Sequence, residues 1–258
     1  MPYKKKIYFI SDTHLGAGCH ARPHDVEQGL CAFLEEISQD AEAVYLLGDI
    51  LDYWFEYRNC VPQGFVRFFG TLARLADSGV KIYWYCGNHD VWLYDYLRKE
   101  IGLTVVDPAE GGDIRLINGT AFYLAHGDGV GDTGRGMRLA RKIFRNKVCR
   151  LLYGSVHPRW TVGFARGCSN TSRSNGDYHH PESHKEEIIE RIKPIANRIV
   201  KKNPEIEYVV MGHYHYPLSI ELEGGRHLFL LGAWDERGGT YGVFDGEKFT
   251  LSTFNAYK

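Results

Sequence analysis

Apolar and polar positions alternate along this chain in two rhythms. Short runs of β-branched and aromatic residues stand at 6–11, 43–47, 81–86, 120–125 and 207–211, each too short for a helix and each flanked by turn formers. They are predicted to be buried strands. Between them, 26–38, 65–78, 94–100 and 182–202 carry helical periodicity, so the order predicts an α/β protein with helices packed on a central sheet. The tail differs: runs at 226–233, 240–244 and 248–254, the last two around an Asp245-Gly246 turn, predict a final antiparallel meander. No solenoid period and no low-complexity linker interrupts the pattern.

Composition narrows the class. The 258 residues can bury a sizeable core, and 44% hydrophobic with 24% charged residues exclude collagen-like, wholly disordered and disulfide-scaffold proteins. Six cysteines without a CxxC pair indicate neither a thiolate zinc site nor a disulfide framework, so a reducing compartment is expected. Lys4 to Lys6 before Ile7-Tyr8-Phe9-Ile10 imitates a signal peptide, but the apolar run stops at Ser11-Asp12; neither a signal peptide nor a spanning helix is expected.

The net charge of −1 hides a segregated distribution. Arg135, Arg138, Arg141, Lys142, Arg145, Lys147, Arg150, Arg159, Arg166 and Arg173 are accompanied by no acidic residue, which leaves −11 for the rest. One segment is therefore suited to an anionic partner.

The chemistry gathers where the predicted strands end. The five termini read Ser11-Asp12-Thr13-His14, Gly48-Asp49, Gly87-Asn88-His89-Asp90, His126-Gly127-Asp128 and Gly212-His213-Tyr214-His215. Strand ends of an open α/β sheet converge on one crevice, so these carboxylates, imidazoles and amide can form one cluster of N and O donors. Such a cluster would repel itself or lie unsatisfied without cations. It is too large for one metal that also leaves room for water and substrate, and it suits two metals sharing a carboxylate. Paired metals lower the pKa of a water and clamp attacking and leaving oxygens, which fits hydrolysis of a phosphate ester or anhydride.

These motifs, complete and in order, resemble the calcineurin-like metallophosphoesterases over about residues 6–217. The resemblance implies a four-layer α/β/β/α sandwich with a helical cap insertion. It implies Asp12, His14 and His215 as ligands of one metal, Asn88, His126 and His213 of the other, and Asp49 as the bridge. It also places His89 outside the coordination shell, to stabilise phosphoryl oxygens or protonate the leaving group, with Asp90 orienting its ring.

Two further stretches need separating. Gly129-Val130-Gly131-Asp132-Thr133-Gly134 matches a dinucleotide-binding turn, but no acidic residue follows from 133 through 176 to hold a ribose, so that reading is rejected in favour of an exit into an inserted cap. From Met137 to Leu152, Met137, Ala140, Phe144, Val148, Leu151 and Leu152 form one helical stripe, with Arg138, Arg141, Lys142, Arg145 and Arg150 opposite. Such a basic amphipathic helix could simply pack on the core with solvated cations. The absence of acidic residues, the apolar Trp160 and Phe164, and the departure from the His126 motif favour an anionic lipid or lipid-like substrate. Nucleic acid is disfavoured because the remainder of the chain is acidic.

Within the family, Gly48-Asp49-Ile50-Leu51-Asp52-Tyr53-Trp54 and the insertion ending near Ser172-Arg173 resemble the UDP-2,3-diacylglucosamine pyrophosphatases of lipid A biosynthesis. That resemblance implies hydrolysis at the α-phosphate to UMP and 2,3-diacylglucosamine 1-phosphate. The cofactors expected are two divalent ions, manganese foremost, with zinc, iron or magnesium as alternatives. Arg135, Arg138 and Arg173, with Asn88, are expected to hold substrate anions. One catalytic domain over 1–258, with its cap at about 129–181, is expected on the cytoplasmic face of the inner membrane. Two departures stand out: His89 replaces an Arg of the group, and Phe55-Glu56-Tyr57-Arg58 replaces its usual acidic continuation. The alternatives are a soluble phosphodiesterase or nucleotide pyrophosphatase, and a non-catalytic membrane-binding module. Oligomeric state is not legible.

Overall fold

All five central runs become strands, and they read as continuous apolar stretches because both of their faces are covered. The computed structural model describes residues 5–108, 111–131, 135–163 and 181–256. In one sheet β1 (Lys6–Ile10), β2 (Ala41–Leu46), β3 (Lys81–Tyr85) and β4 (Thr104–Val106) lie parallel and adjacent. The second sheet holds β5 (Gly112–Ile117), β6 (Thr120–Ala125), β7 (Ile206–Met211), β8 (Leu218–Glu221) and β9 (His227–Leu230), in the spatial order β5-β6-β7-β9-β8. Beyond β1 the first sheet continues antiparallel through β11 (Gly238–Phe244), which pairs with both β10 (Trp234–Asp235) and β12 (Phe249–Asn255).

Side chains alternate across each strand, so one run feeds two cores. Tyr8 and Ile10 of β1 face α1 (Pro23–Ile37) and α2 (Val66–Asp77), packing with Phe33, Leu34, Phe68 and Leu72. Ile7 and Phe9 face the other sheet; the Phe9 ring stacks 5.8 Å from that of Phe122, beside Phe244 and Phe249. Val209 and Met211 of β7 point outward again, onto Ile188, Ile192, Ala196 and Val200. Those four belong to α6 (Pro181–Lys202), the crossover helix from β6 to the parallel β7. Helix, sheet, sheet and helix form the four expected layers.

The tail departs from the expected meander. The run at 227–230 pairs parallel with β7 in the second sheet, whereas β11 and β12 form a hairpin in the first. Burial explains it: Leu228 and Leu230 enter the outer core of the second sheet while Phe229 enters the inter-sheet core, so this run is a central strand. The hairpin turn is held by Asp245, whose Oδ1 accepts the amides of Glu247 and Lys248 at 2.9 and 2.8 Å.

The single amphipathic helix expected from Met137 to Leu152 is two helices, α4 (Arg135–Arg145) and α5 (Lys147–Ser155). Asn146 divides them by capping α5, its Oδ1 accepting Val148 N–H at 2.9 Å and Cys149 N–H at 3.1 Å. Between them, the short helix α3 (Tyr96–Ile101) and β3 carry the loop of Trp92 and Tyr94 against which this insertion packs.

Candidate metal centre

The C-terminal ends of β1, β2 and β3 from one sheet and of β6 and β7 from the other meet at the same edge of the sandwich. The loop after β1 lies along that after β2, with Asp12 N–H on Gly48 O at 3.2 Å and His14 N–H on Asp49 O at 3.0 Å. Asp12, His14, Asp49, His213 and His215 all adopt positive φ, between 42° and 71°, a left-handed conformation costly for residues with a Cβ. Backbone crowding enforces it. A Cβ on Gly87 would stand 2.2 Å from Asp49 Oδ1, and one on Gly212 would stand 1.8 Å from Ser11 Oγ. Only glycine lets these loops approach so closely.

The donors form three overlapping groups: Asp12, His14 and His215; His14, Asp49 and His89; and Asp49, His126 and His213. His14 Nε2 lies 3.1 Å from His215 Nε2 and 3.8 Å from both Asp12 Oδ1 and Asp49 Oδ2. On the other side, His126 Nε2 is 3.2 Å from Asp49 Oδ2 and from Asn88 Oδ1. All seven predicted ligands are thus brought together, with Asp49 at the junction. The overlapping clusters fit a dinuclear metal site.

The environment favours cations. Asp12 Oδ2 accepts Ser11 Oγ–H at 2.6 Å and His213 N–H at 2.8 Å, but its buried Oδ1 has no hydrogen-bond partner. A buried, charged oxygen facing His215 Nε2 at 3.2 Å and His14 Nε2 at 3.8 Å suits a cation-binding pocket rather than a packed core. His126 Nδ1 donates to Leu47 O at 2.9 Å, which turns Nε2 toward Asp49 Oδ2. Burial lowers His14 to a pKa of about 4, and burial with the charge of His126 does the same to His213, so both rings are in the neutral, coordinating form. Burial opposes ionisation of Asp12, yet His215 and His126 hold it down at about 2; Asp49 is likewise held well below the carboxylate range, by His126 and His89. His126 itself is pushed well above the imidazole range by Asp49 against the effect of burial. The floor is closed and the mouth open: Asp12, Asp49 and His126 are buried, His89, His213 and His215 half-buried, and Asn88 exposed.

His89 is held differently from expectation. Its Nδ1 lies 3.3 Å from Asp52 Oδ1 and donates to the Asp52 carbonyl at 3.0 Å, while Nε2 points toward Asp49 Oδ2 at 4.0 Å. Burial would lower this imidazole, but Asp49 and Asp52 raise it to about 9. Asp90, expected to orient the ring, instead turns inward. It accepts the N–H groups of Gly87 (2.7 Å), Ile50 (3.0 Å) and Asp49 (3.2 Å) and the Trp84 indole (3.0 Å), tying the β2 and β3 loops together. Burial and the Asp49 charge push its pKa up to about 6 against those donors. Asp52 and Ser11 are the functional neighbours that the sequence reading left without a role, although both stand inside quoted motifs.

Of the expected anion-binding cations, Arg135 and Arg138 fall on the first turns of α4, and Arg173 lies outside the described residues. Other cations of the insertion grip the protein body: Arg141 Nη1 is 3.3 Å from Asp128 Oδ2, Arg145 Nη2 is 2.8 Å from Asp107 Oδ1, and the Arg150 guanidinium sits 3.6 Å above the Tyr94 ring. The apolar side chains Leu139, Val148, Leu151, Leu152 and Trp160 face outward. Glu56, in the divergent segment, caps α3 from a distance, Oε2 accepting the amides of Tyr94, Asp95 and Tyr96 at 2.8–3.0 Å.

A two-sheet sandwich with this donor set at one edge defines a metal-dependent phosphoesterase, and the chain belongs to the calcineurin-like phosphoesterase family, whose model matches residues 5–217. Within that family it is 41% identical over 260 residues to a Porphyromonas gingivalis protein named UDP-2,3-diacylglucosamine hydrolase, covering 97% of this chain and 98% of that one. Proteins of the same name from Edwardsiella ictaluri and Ectopseudomonas mendocina are 30% and 29% identical, over 89% and 96% of this chain and 85% and 98% of theirs. Among the described residues no helix is long and apolar enough to cross a membrane.

Proposed function

We propose that this enzyme hydrolyses the diphosphate of UDP-2,3-diacylglucosamine to UMP and 2,3-diacylglucosamine 1-phosphate, a step of lipid A biosynthesis. The observation that carries the chemistry is the membership of Asp49 in two donor groups at once. The substrate follows from the relatives' shared name and from an insertion whose apolar side chains face outward. One catalytic domain spans 1–258, and about 129–181 is its cap.

Asp12, His14 and His215 would hold one divalent cation and Asn88, His126 and His213 the other, with Asp49 shared; manganese is the cation that the resemblance to the lipid A enzymes implies. Bound there, the pair supplies Lewis acidity and lowers the pKa of water. The water oxygen joins the α-phosphorus, the bond to the bridging oxygen breaks, and the acylated glucosamine 1-phosphate leaves. His89, kept protonated by Asp49 and Asp52, donates from Nε2 to a phosphoryl or leaving oxygen. Asn88, exposed at the mouth, and Arg135, Arg138 and Arg173 contact substrate anions.

Exposed Lys142, Lys147 and Arg159 flank Leu151, Leu152 and Trp160, a pairing that suits an anionic membrane surface, here the cytoplasmic face of the inner membrane. The test compares UDP-2,3-diacylglucosamine, presented in anionic phospholipid vesicles, with the UDP-sugar lacking acyl chains. Expected are co-sedimentation with the vesicles and a kcat/KM at least about 100-fold higher for the acylated substrate, since buried chain carbons each contribute about 0.8 kcal/mol. Equal use of both substrates would point instead to a soluble nucleotide pyrophosphatase.

A further inference from the structure

Arg141 and Arg145 stand one turn apart on α4 and so share a face. Each reaches a different layer of the sandwich. Arg145 forks onto Asp107, just after β4 of the first sheet, with Nε 3.0 Å from Oδ1 and Nη2 2.8 Å from the same oxygen. Arg141 Nη1 lies 3.3 Å from Oδ2 of Asp128, two residues past His126 at the end of β6 in the second sheet, a charge contact between two buried atoms that make no hydrogen bond. Asp128 is buried, and the guanidinium of Arg141 fills the space that a side chain on Gly129 would need: a Cβ there would be 1.3 Å from Nη1 and 2.0 Å from Cζ. No positive φ demands glycine at 129, so the residue is required by the arginine and not by the turn. On its other side the Gly129 backbone leaves no room for a Cβ on Gly111, 2.6 Å from Gly129 O. A third contact, Trp92 Nε1–H to Phe144 O at 2.9 Å, fixes the end of α4 beside them.

We infer that Arg141 and Arg145 are positioning residues, a two-point clamp that registers the inserted helices on the loop carrying His126, and are not ligands of substrate anions. The position of the insertion then decides where acyl chains lie when the diphosphate is at the metal centre, so this inference rests on the proposed substrate. Loosening the clamp weakens capture of the acylated substrate and leaves the chemistry of the centre alone.

The test uses the full chain carrying Arg145→Ala, Arg141→Gln, or the exchange Asp107→Arg with Arg145→Asp. Hydrogen–deuterium exchange of α4 and α5 is read first, because it needs no substrate. Breaking the half-exposed Arg145 pair should speed exchange there about threefold, and breaking the buried Arg141 pair about tenfold or more, with the sheets unaffected. The exchanged pair should return α4 toward wild-type protection. KM for the acylated substrate should rise by about the same factors, while kcat for bis(p-nitrophenyl) phosphate stays within about twofold of wild type. Unchanged exchange in both single variants, or equal losses on the small diester and the lipid substrate, would overturn the clamp. If the wild-type protein ignores the acylated substrate, the proposed function fails, and the exchange data still decide the clamp.

Discussion

Asp49 carries the site at the scale of single residues. Its Oδ1 accepts His89 N–H at 2.8 Å and its Oδ2 faces His126, His14 and His89, so Asp49→Asn keeps the shape and removes the charge that two cations would share. Turnover is expected to fall by at least about 100-fold, the loss typical of removing electrostatic stabilisation at a reacting centre, with a wild-type circular dichroism spectrum. Near-normal turnover would reject the bridging role. The ligands themselves were legible because each stands in a short motif at a strand end. The partner of His89 was not. The family resemblance implies Asp90, but the chain turns sharply after β3 and successive side chains part: His89 faces the mouth while Asp90 enters the floor beneath Asp49. Asp52 reaches His89 only through the fold, from the loop after β2, and nothing in spacing along one strand announces a contact between two loops.

Elements were legible where burial is two-sided. β1, β2, β3, β6 and β7 are apolar or aromatic over their last four residues because each feeds two cores, and such runs survive any choice of neighbour. The same property hides the topology: an apolar run does not say with which sheet it pairs, so the pattern alone joins 226–233 to the tail hairpin. β4, β5 and β8 escaped notice because they sit at sheet edges, short or half-exposed, as with Leu116 of β5, which is 75% exposed. Caps were equally hard to see. Asn146 interrupts an apparently continuous stripe, and Glu56 closes the start of α3 from 40 residues away in sequence. Glu56→Ala strips three amides of their acceptor, and is expected to cost about 2 kcal/mol and lower the melting midpoint by about 4–8 °C with kcat unchanged. An unaltered midpoint would show that water replaces the carboxylate at no cost.

Over the whole molecule, charge and apolarity are sorted rather than mixed. The acidic sandwich holds the donor cluster at one edge, and the helices α4 and α5, which carry no acidic residue, pack on the loops beside it. The amphipathic stripe is inverted relative to an ordinary surface helix: several cations grip the body, and leucines and a tryptophan face out. That inversion was invisible in the periodicity, which fixes the two faces of a helix but not which one meets the core. Metal-dependent attack at the α-phosphate can be followed by incubating the protein with UDP-2,3-diacylglucosamine in H₂¹⁸O, after chelation and again after adding Mn²⁺, and weighing the products by mass spectrometry. Expected are no turnover after chelation, recovery with manganese, and the heavy oxygen in UMP. Turnover that survives complete metal removal, or label in the acylated glucosamine 1-phosphate, would contradict that mechanism.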